Sequence, residues 1–221
     1  MQGKSIAWKD LKESIINEGF RFPLYVITNP FKAFSDIKYE KKGSTKACVC
    51  IMFLLMIVTV MRSSYIGTVF VTRDPRYINI WVIMAGVLIQ TLLIVAANWS
   101  VTVLIDGSGS FREIFMVAMY AQYPYLWLSA LYIVLSHVLS LDEGALLSFC
   151  LALGVVGIVF YGFVGLVSVH GFGFFKGIAS IFLTVVALVI IIFVILMLVS
   201  MSGELVSFIT TVYNEIVLHY F

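Results

Sequence analysis

From residue 47 onward, five long apolar runs separated by short polar links organise the chain. A helix needs about twenty mostly apolar residues to cross a hydrocarbon core of roughly 30 Å. The runs at 47–65, 80–104, 112–140, 144–169 and 178–200 are each long enough, or nearly so. The last is the most apolar: seventeen of its twenty-three residues are Ile, Leu, Val or Phe, and none is charged. The pattern predicts an all-α, polytopic membrane protein, a five-transmembrane-helix bundle spanning 46–200.

The flanks differ in character. Residues 1–45 are polar, with apolar positions at helical spacing. Between Ser5 and Glu18, Ile6, Trp8, Leu11, Ile15 and Ile16 alternate with Lys9, Asp10, Lys12 and Glu13, the signature of an amphipathic helix. Asn29-Pro30 then reads as an N-cap and first helical residue. The helix it starts places Phe31, Phe34 and Ile37 three residues apart, beside Lys38. Such a segment suits the headgroup plane, so Trp8, Phe31, Phe34 and Lys38 are expected to touch the membrane surface or a partner. At the other end, residues 201–221 are amphipathic again. Glu204, Ser207, Thr211, Asn214 and Glu215 oppose Leu205, Phe208, Ile209, Val212 and Ile216, which predicts a separate docked or interfacial C-terminal helix.

Composition excludes the other broad classes. Of 221 residues, 62% are hydrophobic and 12% are charged. Soluble domains carry roughly a quarter charged residues. A soluble enzyme, a nucleic-acid binder and a disordered chain are all incompatible with that balance. Charge distribution then sets an orientation. Nine of the fourteen basic residues precede the first run, and Arg112 and Lys176 fall on the same side, against Arg62, Arg73 and Arg76 on the other. The positive-inside rule predicts a cytosolic N-terminus and an external C-terminus. No leader of the cleavable type is expected in the polar first forty residues.

Candidate chemistry is sparse. Cys48, Cys50 and Cys150 lie in apolar runs and lack the further ligands of a zinc site. His137, His170 and His219 are scattered and read as surface or interfacial. Asn98-Trp99-Ser100 matches a glycosylation sequon but lies inside the second run. Asp106-Gly107-Ser108-Gly109-Ser110 has neither the acids of an EF-hand nor the GK[ST] of a P-loop, and reads as a tight cytosolic turn. Two capping boxes, Ser110 with Glu113 and Ser140 with Glu143, start the third and fourth spans. No catalytic residue, metal site or cofactor is expected.

Intramembrane polar groups remain. Gln90 and Asn98 share a face of the second run. The third carries Tyr120, Gln122, Tyr123 and Pro124, where proline removes a helix bond and strains against the carbonyl of Tyr120. In lipid a neighbour must satisfy that carbonyl, and Gln90 is a candidate. The break reads first as a packed kink and alternatively as part of a substrate path. Gly154, Gly157 and Gly165 would let helix backbones approach closely.

The order of Asn29-Pro30-Phe31-Lys-Ala-Phe34, Asp106-Gly-Ser-Gly-Ser-Phe-Arg-Glu-Ile114, Tyr120-Ala-Gln-Tyr-Pro124 and Phe208-Ile-Thr-Thr-Val-Tyr213-Asn-Glu215 resembles the Yip1-domain family. The resemblance implies five spans. It also implies either the membrane-trafficking role of eukaryotic members, which bind prenylated Rab GTPases, or the small bacterial type, some of them associated with carbohydrate ABC-transporter components. The chain lacks the long Pro/Gln/Gly-rich N-terminus of the eukaryotic type, so a bacterial cytoplasmic-membrane protein is expected. The reading is a non-enzymatic adaptor or scaffold whose partners are the bilayer and another membrane protein or itself. The alternative is a small permease using the Pro124 break. A midplane cavity lined by Gln90, Asn98, Gln122 and Tyr123 would favour the permease, and a closed bundle the adaptor.

Overall fold

The computed structural model describes residues 17–70 and 78–220, with side chains to residue 217. The predicted helix around Trp8 lies outside the described residues. A π-helical turn, Asn17–Arg21, leads into α1 (Phe22–Thr28) and α2 (Pro30–Tyr39). Five long helices follow: α3 (Thr45–Ser64), α4 (Ile80–Leu104), α5 (Phe111–Ser136), α6 (Gly144–His170) and α7 (Phe174–Tyr220). Among the described residues, α2 is the helix expected after Asn29 and α3 to α7 follow the five apolar runs, whereas α1 was not marked by the sequence pattern.

Among the described residues, four stretches are long and apolar enough to cross a membrane: Thr45–Ser64, Ile80–Leu104, Leu141–His170 and Phe174–Val217. The chain is a multi-pass membrane protein. α5 falls short on hydropathy alone, and its packing explains why. It lies against α6 along most of its length and also packs on α3 and α4. Twelve of its residues are buried, Tyr120, Tyr123, Ser129 and Ser136 among them. A helix wrapped by protein does not need a lipid-compatible surface, so it tolerates hydroxyls that a lipid-facing helix would not.

Local chemistry fixes the helix ends. Asn79 caps α4, its Oδ1 accepting the N–H groups of Trp81 and Val82 at 3.1 and 3.3 Å. Ser110 and Glu113 form the full capping box of α5: Glu113 accepts the Ser110 N–H at 2.8 Å, and the Ser110 hydroxyl accepts the Glu113 N–H at 3.4 Å. Glu143 reaches back to the Ser140 N–H at 3.0 Å. Gly171, at φ +68°, closes α6 in the left-handed conformation that only glycine adopts without strain.

Two expectations are corrected. First, no separate C-terminal helix exists. α7 runs unbroken through Ser200 and Gly203 to Tyr220, 47 residues, or about 70 Å at 1.5 Å per residue. Neither residue breaks it, since a lone glycine costs a helix only about 1 kcal/mol and no proline interrupts the ladder. Second, the N-terminal segment is part of the core and not a surface strip alone. Val26, Ala33 and Phe34 are fully buried. Phe22 meets the Tyr120 ring at 5.0 Å and Phe20 meets Trp127 at 6.3 Å, so the segment's start touches α5, while α2 packs chiefly on α6. The Tyr161 hydroxyl donates to the carbonyl of Ile27 at 3.2 Å, and the Ser44 N–H donates to the Tyr120 hydroxyl at 3.3 Å.

Candidate functional site

The sequence candidates separate into a closed polar cluster and an open cavity. The cluster sits where the α4–α5 turn meets the end of α6. The Gly109 N–H donates to His170 Nδ1 at 3.0 Å. With Nδ1 an acceptor, Nε2 carries the proton, and it donates to Asn98 Oδ1 at 3.1 Å. Asn98 Nδ2 donates to Thr184 Oγ1 at 2.9 Å, and that hydroxyl donates to the carbonyl of Ser180 at 2.7 Å. Every bond points the same way along a chain joining the turn to α6, α4 and α7. Asn98 and His170 are 1% and 3% exposed. His170 is therefore no surface residue. The sequence offered no signal for it, because His170 is separated from Asn98 by 72 positions.

The turn is held from several sides. A Cβ on Gly109 would lie 2.4 Å from His170 Cε1, and one on Gly107 2.8 Å from Thr102 Cβ. Asp106 adopts φ +53° and forms no ion pair among the described residues. Lys38 donates to the carbonyl of Ser108 and pairs with Glu113 at 3.3 Å. Its expected role at the membrane surface is thus replaced by an internal one, joining α2 to the turn. Phe34 is likewise an interior residue, its ring 3.1 Å from where a Gly165 Cβ would stand. Phe31, 65% exposed, remains available to lipid. Trp8 lies outside the described residues.

The glycines differ in what surrounds them. A Cβ at Gly165 would lie 2.5 Å from Val117 Cγ1, and one at Gly154 2.8 Å from the Tyr125 ring. At Gly157 the nearest atom, Pro124 Cβ, is 3.7 Å away, an ordinary contact. Gly67, not singled out in the sequence, is tighter than any of these: its Cβ would fall 1.9 Å from the carbonyl oxygen of Ser136. The Gly67 N–H donates to the Ser136 hydroxyl at 3.0 Å.

Pro124 sits inside a continuous α5. The helix is not broken there, and no hydrogen bond joins Gln90 to the carbonyl of Tyr120. The Tyr120 side chain instead faces α1 and Ser44. Tyr123 is buried against Trp127 at 6.1 Å.

Between α4 and the α5–α6 pair lies a half-open cavity of about 460 Å³. Its wall is mostly apolar, with Val87, Ile94, Val95, Val117, Ala121 and Val155 prominent. Its polar groups are Thr59, Arg62, Gln90, Thr91, Asn98, Gln122, Tyr125 and Thr184. Three of the four residues expected to mark a cavity, Gln90, Asn98 and Gln122, are thus brought together, and Tyr123 is not. Gln122 donates to the carbonyl of Ala118 at 3.2 Å, and Asn98 has a partner on each of its amide atoms. Arg62 Nη1 donates to the Tyr125 hydroxyl at 2.6 Å, and its guanidinium lies 5.8 Å from that ring's centroid. Among the described residues no cluster of His, Cys, Asp or Glu is arranged to hold a metal ion.

The family model of the Yip1 domain matches residues 24–199. The chain belongs to the Yip1-domain family. The match begins in α1 and ends within α7, so it takes in the buried N-terminal segment together with the bundle. No curated protein and no solved structure matches the chain.

Proposed function

We propose that this Yip1-domain protein is a non-enzymatic adaptor or scaffold of a membrane complex, and that α7 is its docking arm. One observation carries the reading. From Ile192 to Val217 every residue of α7 is exposed, so about 39 Å of helix leaves the bundle. Its first part, rich in Ile, Leu, Val and Phe, suits lipid. Beyond Met201 the helix has outrun the hydrocarbon core, yet Leu205, Phe208 and Ile209 are still 56–67% exposed. Apolar surface of this kind in water marks an interaction site.

The proposal includes five crossings. α5 is 26 residues long, about 39 Å, and short links join it to α4 and α6. Those links make α5 antiparallel to both, so it crosses with them as the shielded central helix. The termini then lie on opposite sides, and the excess of basic residues before the first run puts the N-terminus in the cytosol. We place the protein in a bacterial cytoplasmic membrane, with another membrane protein as partner, a transporter component being the kind the family resemblance suggests.

The cavity supports a second reading, a small permease, because it gathers Gln90 and Gln122 at mid-bundle. The unbroken α5 speaks against the Pro124 path. Removing residues 203–221 and placing a photo-crosslinker at Phe208 tests the adaptor. The truncated protein keeps its thermal stability, and the full chain yields a discrete adduct with a membrane protein. Solute uptake by vesicles containing the purified protein alone, with no adduct at Phe208, would replace the adaptor with the permease.

A further inference from the structure

The cavity has features that neither the helix packing nor the adaptor reading uses. Arg62 is partly buried at one end of it and engages one of its five N–H donors, on Tyr125. No carboxylate among the described residues pairs with Arg62, and no Asp or Glu lines the cavity. An arginine in a low-dielectric groove without a counter-ion draws an anion to itself. Gln90 lies ten residues into α4, about 15 Å from its start. Its amide is exposed and makes no hydrogen bond within the described residues, a costly condition in hydrocarbon. Both groups ask for oxygen acceptors, one of them charged.

The rest of the wall asks for hydrocarbon. The rim residues Ile94 and Val155 are 41% and 51% exposed, on helices α4 and α6, which pack little on each other. The cavity therefore opens sideways, toward whatever surrounds the bundle, and in a multi-pass protein that is lipid. Gly162 has nothing within 4 Å of where a Cβ would stand, so α6 leaves space at this point without any packing need for glycine. The volume, about 460 Å³, lies within the range of about 300–1,000 Å³ for small-molecule sites.

We propose that this cavity binds one anionic phospholipid from the surrounding bilayer. Arg62 holds the phosphate through its free N–H donors. Gln90 donates to an ester carbonyl, and an acyl chain fills the trough beside Gly162. A water-soluble solute suits the cavity less well, because the wall is mainly apolar and Asn98 and Gln122 already have partners.

The test is native mass spectrometry of the full chain, delipidated in mild detergent and titrated with phosphatidylglycerol or phosphatidylcholine. Wild-type protein is expected to retain one phosphatidylglycerol and to prefer it over phosphatidylcholine. Arg62→Gln is expected to weaken phosphatidylglycerol retention about tenfold, the effect of losing a charge-assisted contact, and to erase the headgroup preference. Gly162→Leu, whose Cβ meets nothing within 4 Å and whose side chain is aimed at occupying the trough, is expected to weaken both lipids alike. Failure of the wild-type protein to retain any lipid overturns the proposal. So does an Arg62→Gln variant that keeps the preference, or a folded Gly162→Leu variant that binds as well as wild type.

Discussion

His170 Nδ1 accepts the backbone N–H of Gly109 at 3.0 Å, across 61 residues of sequence. That bond brings the start of α5 to the end of α6. Through Asn98 and Thr184 it continues into α4 and α7. A buried chain of donors and acceptors is stable only when complete. His170→Leu is expected to lower stability by about 1–3 kcal/mol for each polar group left buried without a partner. Thermal unfolding in detergent measures it, and an unchanged midpoint would show that the cluster does not hold the turn.

Glycine substitutions should rank by what a Cβ would meet. Gly67→Ala drives a methyl against the carbonyl of Ser136, and Gly165→Ala drives one against Val117. Overpacking of this kind costs typically 1–3 kcal/mol, and more at Gly67, where the obstacle is backbone. Gly157→Ala meets Pro124 at 3.7 Å and the Tyr161 ring at 4.0 Å, both ordinary contacts, and should stay within about 0.5 kcal/mol of wild type. The same unfolding assay decides, and a Gly157 variant worse than the Gly165 variant would reverse the ranking.

Alkaline pH should loosen the α1–α2 corner. The Tyr25 hydroxyl donates to Asp36 at 3.3 Å, and Lys42 pairs with Asp36 at 3.2 Å and with Glu40. Desolvation and then the Asp36 charge raise the Tyr25 pKa above 10.0. Hydrogen bonds to Glu40 and Asp36 raise that of Lys42 above 10.5. Both groups hold their protons more tightly folded than unfolded. Their contribution is whole below those ordinary values and is lost as pH rises through the folded ones. A Tyr25→Phe, Lys42→Met double variant should show a smaller loss of stability above about pH 10 than wild type. Equal losses would show that these groups do not carry the dependence.

Orientation is read by labelling. In a background without native cysteines, Asp142→Cys should react with an impermeant thiol reagent in intact cells, and Lys176→Cys should react only after lysis. The opposite pattern would invert the proposed topology, because Asp142 and Lys176 flank opposite ends of α6.

The apolar runs and their caps were enough to show an all-helical membrane protein, since a crossing helix must satisfy its backbone internally and face lipid with apolar side chains. Those requirements are local, so the capping boxes at Ser110 and Ser140 mark helix starts that can be read from sequence. The family was legible too, in short motifs whose order runs from Asn29 to Pro124, within the matched region. What touches what was not. Phe34 and Phe31 sit three residues apart on one short helix, yet Phe34 is in the core and Phe31 faces outward. Only the position of α2 against Gly165 and Val117 decides between them. Lys38 read as a surface charge until α5 brought Glu113 to it, and His170 read as a surface residue until the α4–α5 turn closed over it. The continuity of α7 through Gly203 was likewise undecided by its pattern, because amphipathicity reports which faces differ and says nothing about whether the helix before it has ended. The cavity is the clearest case. Its residues come from five helices, and no spacing along one chain records the gap left where α4 and α6 fail to meet.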